Sequence, residues 1–167
     1  ARELMRELGV ARPVIVGHSW SGSVVLAYLL DYPDETAGGV LLAGGSHPWE
    51  GGVAWYNDVA GVPLLGELFA RTLVYPFGRL SLETAVRSVF APNPVPERYT
   101  ERTGVRLSLR PDTFLANAED IRRLSDFLAV QSKRYGEIRR PVLAVTGEED
   151  RIVPAWNHVA RLVRQVT

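Results

Sequence analysis

The chain has 167 residues, of which 46% are hydrophobic and 23% charged, and its 19 basic side chains balance 19 acidic ones. This length is sufficient for one globular domain with a hydrophobic core. Because the charges balance, we expect a small molecule as the ligand, with no nucleic-acid partner and no membrane attachment. The absence of cysteine excludes disulfides, thiolate metal ligands and a cysteine nucleophile. No His, Asp and Glu residues are clustered at the spacing of a metal site, and we expect no cofactor.

Both ends of the chain fall inside helical patterns, over residues 1–8 and 156–167. We therefore expect the chain to be part of a longer protein. A signal peptide is neither visible nor excluded, and a cytoplasmic location is the default expectation.

Strands and helices are predicted to alternate in the first part of the chain. A helix over residues 1–8 ends at Gly9, which is placed as a C-terminal cap. The continuous apolar run Val14–Val16 predicts a parallel strand that is covered on both faces. An apolar helix follows and ends before Pro33, and Gly39–Ala43 is predicted to be a second buried strand.

The long stretch 46–140 shows no strand pattern. Its predicted helices cover residues 64–73, 82–90, 96–104 and 117–136. Ser81 and Asn117 are the predicted N-caps of two of them. A third buried strand over Val142–Thr146 and a final helix over Trp156–Val166 complete an α/β fold with a parallel sheet.

Ser19 is predicted to stand on a sharp turn between the first strand and the apolar helix, within the sequence Gly17-His-Ser-Trp-Ser-Gly22. A serine on such a turn has a strained backbone, and small neighbours let the strand and helix approach each other. The pattern departs from strict G-x-S-x-G because Ser21 replaces the second glycine and Gly22 comes one residue late. This context predicts a nucleophile elbow; the alternative is a serine-rich helix N-cap after a buried strand.

A second motif, Gly147-Glu-Glu-Asp-Arg-Ile-Val-Pro154, follows the third predicted strand. With this turn and the elbow, the chain resembles the α/β-hydrolase superfamily, specifically its members with a helical cap inserted after the sixth strand. The resemblance implies a partial α/β-hydrolase fold, in which the three predicted strands are the family's fifth, sixth and seventh. It further implies that residues 1–45 and 141–167 form the core and that 46–140 form the cap.

Carried over from that family, Ser19 is the nucleophile and the backbone N–H of Trp20 is an oxyanion donor. Asp150 is the acid that orients the catalytic histidine, with Glu148 and Glu149 as alternatives. The other interpretation of Asp150 is a negative charge that stabilises a helix N-terminus. The family's catalytic histidine follows an eighth strand, and its second oxyanion donor follows the third strand. We expect both to lie outside this chain, and residues 1–167 alone to be inactive.

None of the three histidines present is a strong candidate for the catalytic base. Strand alternation turns His18 away from the serine, and we expect it to be packed beneath the elbow. His158 is expected on the surface. His47 follows the second strand at the edge where open sheets place their sites, so it either lines the pocket or is a satisfied turn histidine.

The aromatic residues after the second strand suggest an apolar pocket. His47, Trp49 and Trp55 are the candidates for its wall. The alternative is that these aromatic side chains form the small core of the cap itself.

The resemblance implies a serine hydrolase that acts on a small ester, amide or other acyl substrate through an acyl-enzyme. Ser19 excludes the dehalogenases and epoxide hydrolases of this fold, which carry an aspartate there. Two alternatives remain open: an acyltransferase, and a catalytically inactive member of the same fold that only binds its ligand.

Overall fold

A computed structural model of the chain describes residues 2–52 and 54–166. The described strands are β1 (Val14–His18), β2 (Gly38–Leu42) and β3 (Val142–Val145), which form one parallel sheet in the order β1-β2-β3. In its register, Ile15 pairs with Gly39, and Gly39 pairs with Val142. The predicted α/β class and parallel sheet are confirmed.

The chain divides into two compact units, 1–50 with 126–167, and 51–125. The first unit contains the sheet together with α1 (Arg2–Glu7), α2 (Ser21–Asp31) and a short helix Val159–Gln165 near its end. Its hydrophobic core consists of Val25, Leu26, Leu29, Leu41, Tyr135, Ile138 and Leu162. The assignment of 46–140 as a cap stays a prediction.

Only one face of the sheet is covered by the described residues. The side chains of Val14, Val16 and Leu143 are 57%, 59% and 58% exposed, whereas Ile15 is half-buried. Because α2 packs against one face of β1 and β2, alternate side chains of each strand point away from the core. Within the described residues, the strands are therefore covered on one face, whereas the apolar run predicted cover on both. His18 lies on the open face and is exposed, which also corrects its predicted packed position.

The second unit is helical. It contains α3 (Trp55–Ala60), α4 (Leu65–Phe69), α5 (Tyr75–Phe90), α6 (Tyr99–Thr103) and the first part of α7 (Pro111–Gln131). A π-helical turn, Ala70–Val74, joins α4 to α5. The short helix Val159–Gln165 of the first unit is labelled α8. None of the described helices is long and apolar enough to cross a membrane.

Helix boundaries within 46–140 differ from the prediction at two caps. Ser81 lies inside α5, where its hydroxyl donates to the carbonyl of Phe77 at 3.0 Å instead of capping a helix. Asn117 lies inside α7, which begins at Pro111, a residue well suited to a first helical turn. Serine and asparagine occur both as N-caps and inside helices. The residue type alone therefore did not distinguish a cap from an interior position.

Candidate active site

Ser19 occupies the turn between β1 and α2 and has a left-handed backbone, with φ +52°. Such a conformation is unfavourable for a residue with a side chain and persists only where the surroundings hold it. Three backbone hydrogen bonds of 3.0 Å do so: its N–H donates to Leu42, and its carbonyl accepts from Gly22 and Gly45. This is the backbone geometry that a nucleophile elbow requires.

The residues around the turn are small where the strand and helix crowd each other. A Cβ on Gly17 would lie 2.5 Å from the carbonyl oxygen of Ser21, and one on Gly22 would lie 2.6 Å from the Cα of Gly44. The Ser21 side chain is exposed and donates to the carbonyl of His18 at 3.0 Å. The departure from strict G-x-S-x-G is thus accommodated, because the crowding that excludes a side chain falls on Gly22 and not on Ser21.

Ser19 is half-buried, and none of the described side chains forms a hydrogen bond with its hydroxyl group. Trp20 follows in helical conformation as the residue before α2, with φ −49° and ψ −42°. Within the described part of the chain, its backbone N–H has no backbone acceptor. A free N–H at a helix N-terminus beside a serine hydroxyl is suited to stabilise an oxyanion formed there.

Asp150 lies in the loop after β3 and is fixed by backbone contacts. Its Oδ1 accepts the N–H groups of Ile152 at 2.8 Å and Val153 at 2.9 Å. Glu148 and Glu149 are exposed, and no hydrogen bond to their carboxylates exists among the described residues. The loop therefore holds one carboxylate in a defined position, and it is that of Asp150. Because α8 begins only at Val159, Asp150 is not a charge at the N-terminus of that helix.

Ser19 and Asp150 both follow the carboxyl ends of parallel strands. The ladder continues past the strand ends, since the N–H of Ser19 bonds Leu42 and the N–H of Ala43 bonds Val145 at 2.8 Å. Both loops consequently leave the sheet at the same edge, where open α/β sheets carry their sites.

His47 is buried within the first unit, and both of its ring nitrogens are engaged. Nδ1 lies 2.9 Å from the Ser46 hydroxyl and Nε2 lies 2.8 Å from the Gln165 side-chain oxygen. The ring also meets Tyr135 edge-on, with centroids 5.5 Å apart. Burial lowers the pKa of His47 below its ordinary value. The structure thus places this side chain in a packed turn.

His158 is completely buried, which corrects its predicted surface position. Its Nδ1 accepts the backbone N–H groups of Ser46 at 3.2 Å and His47 at 3.3 Å. Burial lowers the pKa of His158 to about 4; the nearby His47 acts in the same direction and Asp150 opposes it. The helical pattern around residue 158 carried no signal of this burial, because the groups that cover the ring come from the loop after β2.

Trp49 bridges the loops that follow β2 and β3. Its indole N–H donates to the carbonyl of Ile152 at 2.8 Å, and its ring packs against His158 with centroids 4.7 Å apart. Both contacts lie within the first unit.

The second unit carries an apolar, partly open cavity of about 750 Å³, and Trp55 forms part of its wall. One face of α5 contributes Phe77, Ser81, Ala85 and Val89, at successive four-residue intervals. Among the residues that the structure describes, no Asp, Glu, Lys or Arg lines the cavity. A space of this size and polarity accommodates a large uncharged apolar group. His47 and Trp49 are not among its lining residues.

The catalytic histidine that the resemblance implies has no counterpart in the described geometry. None of His18, His47 and His158 hydrogen-bonds the Ser19 hydroxyl or the Asp150 carboxylate. Nor do the residues that the structure describes contain a group of three or more His, Asp or Glu side chains arranged to hold a metal ion.

Sequence reasoning missed the contribution of Gly45, Ser46 and Asn157. Gly45 and Ser46 contact Ser19 and His158 respectively, and the Asn157 amide donates to the carbonyl of Pro48 at 2.9 Å. The only signal in the sequence was the run of small residues after the second strand, which is compatible with a close backbone approach.

Comparison with known proteins agrees with this fold. A family model described as alpha/beta hydrolase fold matches residues 1–166. The 2-hydroxy-6-oxo-6-phenylhexa-2,4-dienoate hydrolase of Burkholderia cepacia is 28% identical over 169 residues, which cover 96% of this chain and 54% of that protein. The 2-hydroxy-6-oxononadienedioate/2-hydroxy-6-oxononatrienedioate hydrolase of Cupriavidus pinatubonensis is 26% identical over 160 residues, covering 90% of this chain and 50% of that protein.

Among solved structures, the 2-hydroxy-6-oxo-6-phenylhexa-2,4-dienoate hydrolase of Rhodococcus sp. strain RHA1 is similar with a TM-score of 0.63 at 21% identity, covering 98% of this chain and 56% of that one. At this identity the likeness concerns the fold alone. The chain spans about half the length of the curated relatives it matches. With a matching family model over almost its whole length, a parallel sheet and a serine with a left-handed backbone between β1 and α2, the chain belongs to the alpha/beta hydrolase fold family.

Proposed function

We propose that this protein is a serine hydrolase in which Ser19 attacks the carbonyl carbon of a neutral acyl substrate. The observation that carries the proposal is the left-handed backbone of Ser19, φ +52°, at a strand-to-helix turn. A conformation that costs about 1–3 kcal/mol and is held by three backbone hydrogen bonds is typical of a functional residue. The relatives in this family support the same class, because they are hydrolases by name.

In the proposed mechanism, the Ser19 hydroxyl loses its proton to a histidine as its oxygen attacks the carbonyl. The negative charge that develops on the carbonyl oxygen is stabilised by the N–H of Trp20. Collapse of this intermediate expels the leaving group, which takes the proton from the histidine, and water then releases the acyl group from Ser19. Asp150 orients the histidine. The resemblance places that histidine after an eighth strand, which the three described strands do not include.

The cavity in the second unit supports an apolar acyl or aromatic group as the substrate class. Its wall, as formed by the described residues, carries no charged side chain, so a carboxylate there would lose its hydration without gaining a partner. Of the groups in the substrates named for the two curated relatives, a phenyl group suits this wall better than a carboxylate does.

The decisive experiment is labelling of the full-length protein with a fluorophosphonate probe, followed by ester hydrolysis. We expect Ser19→Ala to abolish labelling and to lower hydrolysis by at least about 10³-fold, because the nucleophile is gone. Ser21→Ala is the matched control, since this exposed serine lies two residues away and should leave both signals unchanged.

Persistent labelling of Ser19→Ala would show that another residue reacts. A folded wild-type protein that takes up no probe would refute the hydrolase and favour a ligand-binding member of the fold. Product formation that requires an alcohol or amine acceptor in place of water would identify an acyltransferase.

A further inference from the structure

Residues 45–49, here called the bridging segment, connect the loop of Ser19 to the loop of Asp150. At its start, the N–H of Gly45 donates to the carbonyl of Ser19 at 3.0 Å. At its end, the indole N–H of Trp49 donates to the carbonyl of Ile152 at 2.8 Å. The N–H of the same Ile152 holds the Asp150 carboxylate at 2.8 Å. The bridging segment is therefore hydrogen-bonded to Ser19 at its start and to the loop of Asp150 at its end.

His158 attaches the middle of the bridging segment to the chain that follows Asp150. Its Nδ1 accepts the N–H groups of Ser46 and His47, and its own carbonyl accepts the Ser46 hydroxyl at 3.1 Å. The ring is completely buried and packs against the indole of Trp49. An imidazole that accepts two N–H groups at Nδ1 must be unprotonated there, so this arrangement requires neutral His158.

The charges around this ring come from three elements. His47 lies in the loop after β2, Asp150 in the loop after β3, and Arg161 on α8. His47 and Arg161 lower the pKa of His158, as burial does, whereas Asp150 raises it. Their combined effect keeps the imidazole neutral at neutral pH, the state that its two hydrogen bonds need.

We propose that His158 is a positioning residue, which as a neutral imidazole fixes the bridging segment against the chain after Asp150 and so sets the distance between Asp150 and Ser19. His158 does not itself touch the reacting atoms. The inference rests on the proposed function, because it assigns a catalytic consequence to a buried contact.

The test compares three variants of the full-length protein. His158→Leu removes the acceptor, whereas His158→Asn offers its Oδ1 near the place of Nδ1. Val163→Ala, at a residue 66% exposed on α8, is the control for substitution in this region. We expect His158→Leu to lower kcat about 10- to 100-fold with little change in KM, because a shift of about 1 Å in a catalytic group has effects of this size. His158→Asn should recover most of kcat.

A folded His158→Leu protein with wild-type kcat would overturn the inference. So would a result in which His158→Leu and His158→Asn show the same loss of kcat and the same rise of KM. If His158→Leu does not fold, Trp49→Phe decides, because it retains an aromatic ring and removes the N–H that reaches Ile152. Unchanged kcat in that variant would also overturn the inference. Failure of the proposed function is a separate result, since it would appear as a wild-type protein without Ser19-dependent turnover.

Discussion

The strained backbone of Ser19 depends on Gly17 and Gly22, which have no side chain where β1 and α2 meet. The closest approach is at Gly17, where a Cβ would also lie 2.7 Å from a methyl group of Val25. Val25 belongs to the buried core of the first unit, so this methyl group has little room to move. The geometry of the site is thus coupled to core packing through one glycine.

We expect Gly17→Ala to lower the free energy of unfolding by about 1–3 kcal/mol, since it forces an extra carbon into a packed space. Gly136→Ala is the matched control, because the nearest atom to its Cβ is 3.7 Å away, an ordinary contact. Equilibrium denaturation by urea measures both. Equal stability of the two variants would contradict the crowding at the elbow.

At the scale of elements, α5 is organised around the cavity of the second unit. The side chains of its cavity face recur at four-residue intervals, and the π-helical turn before it lets the chain run from α4 into α5 without a loop. The helix therefore presents a continuous apolar face, which the shorter helix predicted from residue 82 would have interrupted.

We expect Ala85→Phe to fill part of the cavity and to weaken the binding of an uncharged apolar dye such as Nile red by roughly 10-fold or more, because the added ring takes up volume that the dye would occupy. Thr84→Phe is the matched control, because the same ring is added one residue away at a position that does not line the cavity. Titration with the dye, followed by its fluorescence, provides the measurement. Equal affinity of the two variants would argue against this cavity as a ligand site.

At the scale of the whole molecule, two buried histidines make stability depend on pH. The pKa of both His47 and His158 is lowered by burial, so the unfolded chain binds more protons than the folded one at mildly acidic pH. Stability from these groups is present above their ordinary pKa of 6.5 and is lost as pH falls toward the folded value, about 4 for His158. For His158 alone, the loss in the free energy of unfolding between pH 7 and pH 4 amounts to about 3 kcal/mol.

The measurement is the free energy of unfolding between pH 7 and pH 4.5, where we expect a steady fall in the wild-type chain and a flatter dependence in His158→Asn. This window avoids Glu35, whose pairing with Arg2 and Arg6 lowers its pKa from 4.5 to about 2, so that its contribution is lost only at lower pH. Identical pH dependence of the two proteins would show that His158 is not buried as a neutral base.

The features that depend on neighbouring residues could be predicted from the amino-acid sequence. The three strands, the turn at Ser19 and the glycine cap at Gly9 were all predicted, and Gly9 has a left-handed backbone, at φ +66°. Local sterics decide these features, because a left-handed residue or a strand-to-helix turn restricts the residue types at its own position.

Which polar groups are buried and which carboxylate is fixed depends on long-range packing. Three acidic residues stand side by side at 148–150, and the backbone of the loop selects Asp150. His158 is buried by a loop more than one hundred residues earlier in the chain, at a sequence separation of 112 from Ser46. Such contacts are set by the register of the strands and by the packing of their loops, and neither the helical period nor the composition around a residue contains that information.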